Sequence, residues 1–318
     1  MRTVALASFI LRSMPATSPP AISLYSPRHW ASWLGIGVIA LIARLPYPLL
    51  LRLGRMLGWF TAMLPGERRH VALRNLELCL PQPDAAARAR LLRAALADLG
   101  MMLVEFAFAW MGSARALARV PCTITGIEHL EACRARGQGV LLVGAHFSHL
   151  ELCARLVSQR FRIAGMYRTM DDPVFDRSVL RARLAYAEAM FRKEDLRGSV
   201  RHLKKGGVLW YAPDQDMRGK DSVFVPFFGI EAATITATHH LARLSGAAVI
   251  PFFHRRLPNG GYALRLEAPL ENFPSADAVV DTARVNAAIE RMVIEAPEQY
   301  LWVHKRFKTR PPGAPTVY

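Results

Sequence analysis

The residues able to do chemistry crowd into one stretch of the chain, VLLVGAHFSHLELCARL, from Val140 to Leu156. Two histidines and a glutamate follow directly on an apolar run. A histidine held by a carboxylate is the orienting half of a general base: the carboxylate fixes the tautomer and stabilises the imidazolium, and the other ring nitrogen takes a proton. Within one regular helix, residues five apart point to different faces. His146 and Glu151 are therefore expected to pair with His146 before a helix and Glu151 in its first turn. Two other readings compete. Ser148 and Glu151 fit a capping box at the start of that helix. His146, His149 and Glu151 also offer three metal ligands in six residues, but His149 belongs one turn into the helix and no fourth ligand is in view, so no metal is expected. The chain has no G-x-S-x-G elbow, and no cysteine with a nucleophile signature stands beside His146. The hydroxyl to be activated is then expected to come from a substrate, which describes acyl transfer to an alcohol by a general base.

Such a site needs a scaffold. GVLLVG reads as a buried strand that ends just before a helix, and open α/β sheets place ligands in the cleft outside the carboxyl ends of their strands. Downstream, RIAGMYR, GVLWYAP, AVIPFFHRR and YALRLEAPL read as strands. They alternate with helical patterns of about 10–15 residues, among them VLRARLAYAEAMF, RKEDLRGSVRHLKKG and DTARVNAAIERMVIEA. The expected fold class is α/β, a mixed central sheet flanked by helices. Upstream, Pro81 and Pro83 mark a turn and Asp84 starts a helix. Residues 100–111 (GMMLVEFAFAWM) read as another apolar helix with a single acid, Glu105.

The chain has 318 residues, with 41 Lys+Arg against 25 Asp+Glu and a formal charge of +16. That excess points to an anionic partner. Because 52 % of the residues are apolar, a lipid surface is favoured over nucleic acid, and no nucleic-acid partner is expected. Cys79, Cys122, Cys133 and Cys153 fit no zinc or redox spacing and read as small buried apolar residues of a reducing compartment. Residues 1–25 read as a poorly ordered leader. Residues 26–64 read as a membrane-anchoring helical segment: Trp30 to Ala43 carries no charge, Arg44 interrupts, and LPYPLLL continues to Leu51. The uninterrupted run falls short of the about 20 residues of a span, so a span with Arg44 snorkelling and an in-plane anchor both remain open. Residues 65–318 read as one globular domain on the cytosolic face.

His146-Phe-Ser-His-Leu-Glu151 resembles the H-x-x-x-x-D/E box of membrane acyltransferases. LGIGVIALIARLPYP, RNLELCLP, MYRTMDDPVFD, RKEDLRGSVRHLKKGGVLWYAPDQD, SVFVPFFG, AATITATHHLARLSGAAVIPF and APEQYLWVHKRFKTRP resemble the late acyltransferases of lipid A biosynthesis, of the lauroyltransferase type, from about residue 26 to the C-terminus. Glycerolipid acyltransferases share the histidine box but normally carry an acid-glycine-threonine-arginine signature, where this chain has YAPDQD. That departure argues against glycerol-phosphate acceptors.

The resemblance implies a glycerolipid-acyltransferase-like fold and transfer of a fatty acyl chain, lauroyl by preference, from acyl-acyl carrier protein to a 3-hydroxyl of a hydroxyacyl chain on Kdo2-lipid IVA. It implies His146 as general base, Glu151 as its orienting acid, and no cofactor beyond the acyl carrier protein thioester as co-substrate. Arg168, Arg183 and Asp214 match positions the family keeps basic or acidic and are the candidates for holding substrate or the oxyanion, with Asp216 a weaker one. The implied place is the cytoplasmic side of the bacterial inner membrane, and the partners are acyl carrier protein, the lipid A precursor and inner-membrane lipids. Lys204, Lys205, Arg218, Lys220 and the tail His304–Arg310 are candidate docking residues. Two alternatives stay open: an acyltransferase of the same superfamily with another glycolipid or aminolipid acceptor, and a non-catalytic basic module that binds a membrane surface.

Overall fold

A computed structural model describes residues 24–82 and 84–318; nearly all of the expected leader lies outside them. After a 3-10 turn at Pro27–His29 come α1 (Trp30–Ile42), α2 (Tyr47–Met63), α3 (Glu67–Cys79), α4 (Ala85–Met111) and the short α5 (Ala114–Leu117). The sheet region follows: β1 (Cys122–Thr125), α6 (Ile127–Ala135), β2 (Val140–Val143), α7 (Leu150–Val157), β3 (Ala164–Tyr167), α8 (Pro173–Leu184), β4 (Met190–Arg192), α9 (Leu196–Lys204) and β5 (Val208–Tyr211). A hairpin of β6 (Ser222–Phe227) and β7 (Ile230–Ile235) leads to α10 (Ala237–Ser245), β8 (Ala248–Arg256), β9 (Tyr262–Leu266) and α11 (Ala278–Glu295).

The central sheet has seven strands in the order β1-β9-β8-β2-β5-β3-β4. β2 pairs in parallel with both β5 and β8, whereas β8 and β9 are antiparallel. The expected mixed sheet is therefore what forms. Val140–Val143 sits at its centre and is buried on both faces, as a continuous apolar run in a helix-covered parallel sheet must be. Alternate side chains feed opposite layers: Leu141 and Val143 join the core beneath α3 and α11, and Val140 and Leu142 join the core with Phe108 and Leu152.

Three expectations about elements change. The helix beginning after Asp84, whose side chain accepts from Ala87 N at 2.6 Å, runs without a break through residues 100–111. α4 is thus one 27-residue helix. Gly100 does not end it because Gly100 meets Gly58 of α2 backbone to backbone; a Cβ on Gly58 would stand 2.1 Å from the Ala97 carbonyl oxygen. The helix expected to run through Phe191 stops at Leu184, since Met190–Arg192 is recruited as the edge strand beside β3.

The 26–64 segment is not one helix. Pro46 disfavours helical backbone at the residue before it, and the chain turns between α1 and α2. No helix among the described residues is long and apolar enough to cross a membrane. The 13 residues of α1 span about 20 Å, against about 30 Å of hydrocarbon. Their apolar side chains are nonetheless turned outward: Trp30, Leu34, Val38 and Leu41 form an exposed stripe on α1, and Met56, Trp59, Phe60 and Met63 are exposed on α2.

Candidate active site

β2 and β5 lie side by side in parallel, with Val143 opposite Tyr211. Both chains leave the sheet at the same edge. Three residues further on, one carries His146 and the other Asp214. The imidazole Nδ1 stands 2.6 Å from Asp214 Oδ1, and the His146 backbone N–H donates to Asp214 Oδ2 at 3.0 Å. A carboxylate can only accept here, so Nδ1 carries the hydrogen and Nε2 is left with the lone pair.

The segment after α11 clamps this loop from the other side. Leu301 N donates to the His146 carbonyl (3.0 Å), Ser148 N donates to the Gln299 carbonyl (2.9 Å), and Phe147 bridges to Tyr300. The Tyr300 hydroxyl acts on Asp214 as well, favouring its ionised form. Asp214 is 1 % exposed, while the His146 side chain keeps 31 % of its surface open to solvent. Burial alone would push the Asp214 carboxyl up, but the imidazole, the His146 backbone N–H and the Tyr300 hydroxyl hold it at about 2. Burial pulls His146 down, and the Asp214 carboxylate outweighs it, so its pKa lies above the ordinary value.

The acid that holds His146 is therefore Asp214, and the expectation that Glu151 does so is corrected. Glu151 is buried in the first turn of α7, and its oxygens are taken elsewhere. Trp110 Nε1 donates to Oε2 at 2.8 Å, Arg183 Nε donates to the same oxygen at 3.1 Å, and Arg183 Nη2 donates to Oε1. This two-point contact fixes the guanidinium plane, and Glu151 serves as the anchor of Arg183. The capping box does not form either. α7 begins at Leu150 with His149 at its N-cap and no side-chain cap, because the buried Ser148 hydroxyl donates to Asp98.

Ser148 belongs to a network that sequence reasoning missed. Arg256, at the end of β8, bonds Glu105 at 2.5 and 2.9 Å, Asp98, and Ser148 Oγ at 3.3 Å; Tyr262 donates to Glu105 at 2.5 Å. The single acid of the apolar run 100–111 is thus one end of a buried ion-pair network joining α4 to β8 and β9. A cavity of about 540 Å³ opens beside it, lined by Leu51, Asp98, Met101, Arg255, Arg256 and Gln299. His146 does not line it.

The remaining candidates separate. Arg168 is exposed on the loop after β3, at the same sheet edge as His146, and lines a shallow hollow of about 300 Å³ with Met170 and Asp171. Asp216 faces the C-terminal tail, accepting from Thr309 N (3.0 Å) and Thr309 Oγ1 (2.9 Å). The tail is only partly a free basic surface: Arg306 is 3 % exposed and donates to Ala233 O and Thr234 Oγ1, and Lys305 pairs with Glu67. Lys204, Lys205, Arg218 and Lys220 are exposed. Tyr300 was not singled out from the sequence; the one signal available was its place in the segment APEQYLW.

The family model described as bacterial lipid A biosynthesis acyltransferase matches residues 19–309. The lipid A biosynthesis lauroyltransferase of Escherichia coli (strain K12) is 43 % identical over 298 residues, 93 % of this chain and 97 % of that protein. The lipid A biosynthesis palmitoleoyltransferase of the same organism is 38 % identical, covering 92 % of this chain and 95 % of that one. A lipid A biosynthesis acyltransferase of Haemophilus influenzae is 36 % identical over 92 % of this chain and 95 % of its own. Among solved structures, the 1-acyl-sn-glycerophosphate acyltransferase of Thermotoga maritima matches with a TM-score of 0.38 and 13 % identity, covering 72 % of this chain and 95 % of that one.

Proposed function

The chain belongs to the bacterial lipid A biosynthesis acyltransferases, and from its acyl transfer in lipid A biosynthesis we propose a more specific reaction: movement of a lauroyl chain from acyl-acyl carrier protein to a hydroxyacyl 3-hydroxyl of Kdo2-lipid IVA. The observation that carries the mechanism is the His146–Asp214 pair at the ends of adjacent parallel strands. Nε2 of His146 takes the proton of the acceptor hydroxyl, and the alkoxide attacks the thioester carbonyl. The tetrahedral oxyanion then collapses with cleavage of the carbon–sulfur bond, and the imidazolium returns its proton to the leaving thiolate. Asp214 holds the tautomer and balances the imidazolium charge. Arg183, aimed by Glu151, and Arg168 bind acceptor phosphate or the developing oxyanion. No cofactor is needed for these steps.

The acyl preference follows the name of the 43 % identical lauroyltransferase. In this reading the enzyme lies on the cytoplasmic side of the inner membrane, with the apolar stripes of α1 and α2 in the plane of the lipid interface and Arg28, Arg44, Arg52 and Arg55, all exposed, at headgroup level. The acidic carrier protein docks on exposed cations, among them Lys204, Lys205, Arg218 and Lys220. The test is a transfer assay with purified enzyme, Kdo2-lipid IVA and a panel of acyl carrier protein thioesters. Wild type is expected to use the lauroyl thioester best, and His146→Ala to lose about 100-fold or more. A different preferred chain would overturn the lauroyl assignment, and transfer only to another glycolipid or aminolipid would overturn the acceptor.

A further inference from the structure

Three residues beyond His146 begins a second cluster that acyl transfer leaves unused. His149 is the N-cap residue of α7, Cys153 lies one turn on with its N–H donating to the His149 carbonyl at 3.0 Å, and His254 belongs to β8. One ligand atom from each lies within 4.8 Å of the other two, and all three residues have 0 % of their surface exposed.

The two imidazoles are prepared differently. His149 Nε2 stands 3.1 Å from the His254 carbonyl oxygen. A carbonyl only accepts, so Nε2 carries the hydrogen and Nδ1 the lone pair. Ser148 Oγ is 3.4 Å from that Nδ1, but the Ser148 hydrogen is directed to Asp98 and cannot serve both. A ring N–H on a backbone carbonyl is the arrangement that orients a metal-ligating histidine. His254 is the more pointed case: among the described residues neither of its ring nitrogens has a hydrogen-bond partner, and both are buried. Its ring is enclosed edge-on by Phe147, His149 and Trp210, at centroid distances of 5.5, 4.9 and 5.4 Å. Buried polar atoms are rarely left so.

We infer that His149, Cys153 and His254 form a buried site for a thiophilic d10 metal ion, copper(I) or zinc(II), which staples the first turn of α7 to β8. Two nitrogens and one sulfur, with no carboxylate, do not suit magnesium or calcium, which take oxygen ligands. The Cys153 thiol gives up its proton to solvent as the metal–sulfur bond forms. Two neutral imidazoles and one thiolate carry a single negative charge. Structural zinc takes four ligands, and three protein ligands are gathered here. The ligand number favours copper(I). The site does not depend on the reaction proposed above.

The test uses purified full-length protein under anaerobic conditions, titrated with copper(I) alone and with zinc(II) alone against a chromophoric chelator. One ion is expected to be held per chain and to be held at least tenfold more weakly in Cys153→Ala and His254→Phe. X-ray absorption at the metal edge of the loaded wild-type protein is expected to show one sulfur and two imidazole nitrogens. That measurement needs no variant and stands if the substitutions impair folding. Tight zinc(II) without copper(I) would uphold the site and overturn the preference for copper(I). No ion retained, or an ion surrounded only by nitrogen and oxygen, would overturn the site itself.

Discussion

Asp214 and Glu151 are both buried acids near the His146 loop, and their partners separate their work. Asp214 accepts from the imidazole and the backbone N–H of His146, so it sets the tautomer of the base; Glu151 is spent on Trp110 and Arg183. The spacing of His146 and Glu151 is visible in the sequence, but a spacing of five can be met by either partner choice, and only the packing of α7 decides. Asp214 was legible as an acid at the end of a strand. Its pairing with His146, 68 positions away, was not, because it depends on which strands become neighbours. The Tyr300 hydroxyl helps hold the Asp214 carboxyl down, and its removal has a definite sign. In Tyr300→Phe the carboxylate loses a group that lowers its pKa and becomes more basic, which raises the His146 pKa further. The acid limb of kcat/KM is expected to move to higher pH, with a loss of about fivefold near neutrality. A limb that stays in place would reduce Tyr300 to packing.

The elements that carry these residues are held by contacts between backbones and by buried charge. α2 and α4 meet at Gly58 and Gly100, where no side chain fits. α4 is tied to β8 and β9 through Asp98, Glu105, Arg256 and Tyr262. Burial pushes the Glu105 carboxyl up, partly offset by the Arg256 charge beside it. Arg256→Met would leave two buried carboxylates without their cation, a loss of about 3–5 kcal/mol, read as a lower midpoint in denaturant titration. A midpoint within error of wild type would show that the network contributes no net stability. The strands were legible from their β-branched and aromatic runs. The continuity of α4 through Gly100 and the conversion of Met190–Arg192 to an edge strand were not, since each is decided by a neighbour distant in sequence.

At the scale of the whole molecule, the +16 charge and the outward apolar faces of α1 and α2 are the two observations behind the proposed in-plane anchor. Leu34 and Leu41 are 71 % and 70 % exposed, so Leu34→Asp with Leu41→Asp is expected to leave folding intact and to reduce co-sedimentation with anionic vesicles by tenfold or more. Undiminished vesicle binding would contradict the in-plane anchor. The composition made an anionic partner legible, but an apolar run does not show where a helix breaks; the turn between α1 and α2 before Pro46 emerged only with the fold. The sheet places His146 and Asp214 at one edge, and the account of catalysis stands on that pair. Its most direct test is the pH dependence of kcat/KM for Asp214→Asn beside Glu151→Gln. Removing the Asp214 charge is expected to lower the plateau by about 100-fold or more and to shift the acid limb to lower pH, because His146 loses the carboxylate that raises its pKa. Glu151→Gln is expected to leave that limb where it is. An unmoved limb in Asp214→Asn, with the shift appearing in Glu151→Gln instead, would contradict the assignment.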